Sequence, residues 1–228
     1  MSEEIRVLGQ VCKALCAIQC ATWSRRQKTW SDNLDIDSDT RNTYTELINS
    51  WSPLTENDIE SLFPVNSKAV NFNLSEKRKA LYLSPTSNQP QFVPVVSLEC
   101  SMNNTETAIK IRIMLIQKIN DALKGVGFRF EKGEGTHNYY HVQLINELQG
   151  AKHVSNPVIE YIEWLPQSEP AIPIKAEDPV TLLLCSLISL YGLKTCSRLV
   201  TEHQISELKK YLNYFVEPNE KPKSGKKK

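Results

Sequence analysis

Apolar residues recur at two different spacings along this chain, dividing it into helical ends and a β-like middle. Ile5, Leu8, Cys12, Leu15, Cys16 and Trp23 fall on one helical stripe and predict a helix from Ile5 to about Lys28. Glu3 and Glu4 suit the start of that helix, and Arg25, Arg26 and Lys28 suit its last turn, where each charge opposes the peptide dipole. A polar loop leads to a second predicted helix at about Arg41–Ser50. Thr55 precedes the run NDIESLF as the N-cap of a short third helix, and Pro64 follows it.

The middle of the chain alternates. Ala69–Leu74, Ala80–Leu83 and Phe92–Glu99 are short β-like runs separated by turn-forming residues. Pro94 has no amide donor, which predicts an edge strand or a strand that begins there. Asn104–Lys124 satisfies both periods: AIKIRIMLI alternates, yet Ile109, Ile113, Ile116 and Leu123 also lie on one helical stripe. Its length, with Gly125 placed as a C-cap, predicts a helix. Gly127–Ile145 then reads as a β-hairpin with arms Phe128–Glu131 and His137–Ile145 and with Gly133 and Gly135 in the turn. Strand alternation puts Tyr140, Val142 and Leu144 on one face and His137, Tyr139, His141 and Gln143 on the other.

Ser155–Pro179 holds five of the twelve prolines, so it predicts an extended arm anchored by Tyr161, Ile162, Trp164 and Leu165. Asp178-Pro179 is a cap followed by proline at the first helical position, opening an apolar helix to Tyr191 that ends at Gly192. Thr201 with Gln204 predicts a capping box for a last helix whose stripe is Ile205, Leu208, Leu212 and Phe215. The expected fold class is therefore α+β, a small, mainly antiparallel sheet from the middle of the chain packed by N-terminal and C-terminal helices. Residues 1–218 form one expected domain, with residues 1–64 helical, 65–150 rich in sheet, 151–178 the proline-rich arm and 179–218 the C-terminal helices. The stretch 219–228 is an expected disordered basic tail.

Composition narrows the function classes. The 27 basic and 26 acidic residues leave a net charge of +1, so no global field draws the chain to nucleic acid or anionic lipid. The acidic N-terminus does not fit a secretion signal, and the oily block Val180–Leu190 is shorter than the roughly 20 residues that span a bilayer. Six cysteines without a secretion signal fit reduced thiols. A cytoplasmic protein with no membrane partner is expected.

Candidate chemistry concentrates on the hairpin. His137 and His141 have the spacing of a helical metal pair, but on a strand they lie about 13 Å apart and cannot share one ion. Cys12, Cys16 and Cys20 fail as a metal site too, since on a helix the outer two are roughly 12 Å apart along the axis. No metal and no cofactor is expected. What remains is a polar face of Arg129, Glu131, His137, Tyr139, His141 and Gln143. It offers a recognition surface first and an acid–base site second, with His137, His141 and Glu131 as the titratable candidates. Trp23, Arg25, Arg26, Lys28 and Trp30 mix aromatic and basic residues as single-strand binders do. Cys100 is a possible nucleophile with no base in view. Phosphate-loop, dinucleotide-fold, zinc-protease and nucleophile-elbow signatures are absent. With Trp23, Trp30, Trp51 and Trp164 expected at the surface, the sequence favours a non-enzymatic binding or accessory subunit with a protein partner. The alternatives are an enzyme on a phosphate-containing substrate and a nucleic-acid-binding module.

Overall fold

The computed structural model describes residues 3–18, 37–85, 91–103, 107–133, 139–145, 160–161 and 172–216. The chain runs through α1 (Glu3–Ile18), α2 (Ser38–Ser50), β1 (Ser52–Pro53), α3 (Glu56–Leu62), β2 (Val70–Asn73), β3 (Lys79–Tyr82), β4 (Val93–Met102) and β5 (Thr107–Ile119). It continues through β6 (Ala122–Lys132), β7 (Tyr140–Ile145), β8 (Glu160–Tyr161), β9 (Ile172–Pro173), α4 (Pro179–Glu202) and α5 (Leu208–Leu212). The α+β class holds: helices from both ends pack on a sheet from the middle.

The nine described strands form one sheet in the order β1-β3-β4-β5-β6-β7-β9, with β2 beside β4 and β8 beside β6. Its pairings are antiparallel except β1 with β3 and β6 with β8. Strands β4, β5 and β6 are its long centre. Pro94 lies there, in a strand flanked on both sides, so the edge-strand expectation fails; the strand starts at Val93, one residue before the proline. Its carbonyl still accepts from the Leu83 amide at 2.9 Å, and only the missing donor is lost.

Of the helix expected over Asn104–Lys124, the described residues, 107–124, form instead β5 and the start of β6. Alternation wins: Ile109, Ile111 and Ile113 face one side, buried, while Lys110 and Arg112 face the other. The two strands are joined through Asn120 and Asp121, whose φ angles of 50° and 62° suit a tight hairpin turn favoured by such short polar residues. Gly125 is mid-strand, paired with Ile116, and caps nothing.

Each sheet face has its own core. On the first, Val96, Leu98, Cys100, Met102, Ile109, Ile111, Ile113 and Phe130 meet α1, α3, α4 and α5. Cys12 and Cys16 lie buried in that contact, as small soft residues packing a helix closely; Cys20 is outside the described residues. On the second face α2 covers only half, through Tyr44, Leu47 and Trp51 on Tyr82, Val95, Met114, Ile116 and Ile145. Two hydroxyls pin it: Tyr44 donates to the Leu83 carbonyl and Tyr82 to the Trp51 carbonyl, both at 2.6 Å. Trp51 is thus core, not surface.

The helix ends show what local sequence decides. Asp37 caps α2 and Thr55 caps α3, with Asp58 closing a capping box. Asp178 caps α4, Pro179 follows, and Thr181 closes a second box. Gly192 ends the first helical stretch of α4 as expected, with non-helical φ 75° and ψ 160°, and a second stretch continues beyond it to Glu202. The segment Pro179–Arg198 is apolar and long enough to span a bilayer, but its Val180, Leu182, Leu183, Leu184 and Leu187 are buried in the first core. The predicted capping box at Thr201 fails because Thr201 is still within α4; the last helix starts at Leu208 without a side-chain cap. Of the proline-rich arm, only β8, β9 and the approach to α4 are described, and among its anchors only Tyr161, paired with Gly125.

Candidate functional site

Register turns the second sheet face into rows. One row reads Asn73, Glu99, Lys110, Glu131, His141 and Pro173 across successive strands. The next reads Ser97, Arg112, Arg129 and Gln143. The third, Tyr82, Val95, Met114, Gly127 and Ile145, is already the apolar floor beneath α2. The face therefore changes from polar to apolar along the strands, and the helix covers only the apolar end.

The hairpin parity is as the alternation predicts. Tyr140 and Val142 pack against the first core beside Phe128 and Phe130, while His141 and Gln143 share the opposite face with Arg129 and Glu131. Exposure departs from expectation. His141 is 2% and Glu131 6% exposed, so the centre of the anticipated surface is sealed; Tyr139 at 36% is the exposed member. His137 lies outside the described residues, as do Trp23, Arg25, Arg26, Lys28 and Trp30.

The sealed residues form a charge cluster. Arg129 Nε lies 2.8 Å from Glu131 Oε1, yet its N–H is not aimed at that oxygen and has no hydrogen-bond partner, so the contact is Coulombic. Its Nη2 donates to Gln143 Oε1. His141 Nδ1 sits 3.1 Å from the Tyr139 carbonyl, which only accepts, so Nδ1 carries a proton. Nε2 faces Glu131 Oε1 at 3.6 Å, an approach that is attractive when Nε2 is protonated as well. The Tyr139 ring closes edge-on over the imidazole at 5.5 Å. Across the strands Arg112, 7% exposed, reaches Glu99 Oε2 at 3.3 Å. Two arginines stand directly opposite in register, and each is answered by a carboxylate one row away, which offsets their repulsion.

Lys110 and Arg112 are not among the expected site residues because their strand, β5, is expected as a helix, while Glu99 ends a run expected as a strand but gains its Arg112 partner only when β5 pairs beside it. The signal was present: Lys110 and Arg112 stand two apart with isoleucines between, a period-2 pattern. At the polar end of the face lies a depression of about 460 Å³ lined by Asn71, Asn73, Glu76, Glu99, Ser101, Lys110 and neighbouring residues.

Nucleophile and metal chemistry find little footing. Burial pushes the Cys100 thiol up to about 12, which keeps it protonated at neutral pH. Cys12 is raised in the same direction, by burial first and by Cys16 and Cys100 next. Among the described residues no group of three His, Cys, Asp or Glu side chains is placed to hold a metal. Comparison with known proteins yields no match to a family model, to a curated protein or to a solved structure, so the functional reading rests on geometry.

Proposed function

We propose that this chain is a non-catalytic recognition subunit that binds a protein partner through the polar end of its sheet. The observation that carries the reading is the half-covered second face. Helices cover the first face across its core, and α2 covers the apolar rows of the second, while Asn71 and Ala108 are exposed and Asn73, Glu99, Ser101 and Lys110 half-buried with no described helix over them. The residues an acid–base enzyme would need reachable, Glu131 and His141, are the ones sealed from solvent. A preformed polar surface on a rigid sheet presents its side chains at low entropic cost on binding.

The test is purification of the tagged full-length chain from its native cells, followed by mass and stoichiometry of the eluted species. A fixed-ratio complex with another protein is expected. A chain that elutes alone at endogenous concentration, with no partner on crosslinking, overturns the reading.

A further inference from the structure

Resting on that reading, we propose that the depression between β2, β4 and β5 receives an extended acidic segment of the partner. Some of the charges around the depression are already engaged in ion pairs. Lys110 lies in register between Glu99 and Glu131, but those carboxylates turn to Arg112 and Arg129. Lys77, Lys110 and Lys132 line the depression and take no ion-pair partner among the described residues. Glu76, exposed at the rim, is the one lining carboxylate without an ion pair there, so positive charge prevails.

The remaining groups define the ligand class. Guanidinium forks suited to phosphate are committed to carboxylates, and the free cations are lysines, single charges on flexible stems. The aromatic residue at the lining is Phe72, whose ring is buried in the first core, so nothing there stacks a base. What does face the opening suits a peptide. Asn71 and Ser101 offer both donors and acceptors. The Asn73 Oδ1 is committed to the Ser75 amide at 3.0 Å, which leaves its NH2 to donate. The depression crosses β2, β4 and β5, with Lys77 just past β2, Lys110 on β5 and Lys132 at the end of β6, so a segment laid across this face meets all three lysines, which select glutamate and aspartate.

The test titrates the full-length chain with a fluorescent polyglutamate peptide of about ten residues, with pyrophosphate and with a single-stranded oligonucleotide as comparison probes. The triple variant Lys77→Glu, Lys110→Glu, Lys132→Glu is measured alongside, its fold checked by circular dichroism and thermal melting. Peptide binding that weakens at least about tenfold in the triple variant and falls as salt rises is the expected result. Binding that is absent, unchanged by the triple variant, or lost instead when Lys223, Lys226, Lys227 and Lys228 become glutamine overturns the proposal. So does pyrophosphate or oligonucleotide binding that outcompetes the peptide. Failure here is separable from failure of the subunit reading: a partner retained equally by wild type and triple variant sinks only the depression, whereas no partner with either sinks the subunit.

Discussion

Single atoms decide how the two sheet faces close. Gly127 sits in register between Met114 and Ile145, and a Cβ there would overlap the Met114 sulfur and lie 2.8 Å from Ile145 Cγ1. The thioether can swing aside, but the Ile113 carbonyl at 3.1 Å cannot move without disturbing the ladder. Gly127→Ala should therefore cost about 1–3 kcal/mol in a urea unfolding curve, with the slope unchanged. An equally stable variant would show that this floor has slack. Glu131 poses the opposite case, a charge held by what surrounds it. Removing it leaves Arg129 and His141 without their shared carboxylate in a site 6% exposed at Glu131 itself. Glu131→Ala is expected to lose about 3 kcal/mol, since breaking a buried pair strands the partner charge. A loss under about 0.5 kcal/mol would mean that water screens the cluster like a surface pair.

At the scale of elements, caps and turns carry their own pH dependence. Burial alone would raise the Asp58 carboxyl, but the Thr55 hydroxyl and amide together with Lys79 outweigh it and hold it below its usual 3.8. A depressed carboxyl stabilises the fold above its unfolded value, and that contribution is lost as pH falls through the folded one. Stability of the wild type should thus drop on acidification below about pH 4, and Asp58→Asn should flatten that drop while costing about 1 kcal/mol at neutral pH. Acid unfolding curves that superimpose for the two proteins would count against the cap. The elements also show where local signals mislead. Thr55 and Asp178 were legible as caps because capping needs only neighbours in sequence. Gly192 was legible as a break, yet helix resumes beyond it, with Leu193 and Val200 packed against the first core.

Across the whole molecule, stability should follow the sheet outward from its centre. Strands β4, β5 and β6 pair over their full lengths and contribute to both cores, while β9 pairs through two residues, one of them Ile172 at 55% exposure. Native-state hydrogen exchange should find the slowest amides in β4–β6 and fast exchange at β9 and α5. Slowest exchange in α1 or α4 instead would place the last structure to open in the helices.

The alternation of apolar residues, the caps at Thr55 and Asp178, and the opposite facing of Val142 and His141 all follow from the sequence by itself, because each depends on neighbours within a turn or a strand. Whether Asn104–Lys124 became helix or strand did not, since both periods fit and the choice fell to the flanking strands, β4 and β6, that pair with β5. The fate of the polar face was likewise tertiary. Parity puts Glu131 and His141 on the polar side, but that these two are sealed while Tyr139 on the same side stays exposed is a property of the packed sheet, and no local pattern encodes it. Register across five strands then assembled Asn73, Glu99, Lys110, Glu131 and His141 into one row from segments nearly seventy residues apart. Chain proximity cannot anticipate such a row, because strand pairing is settled by the burial of both faces together.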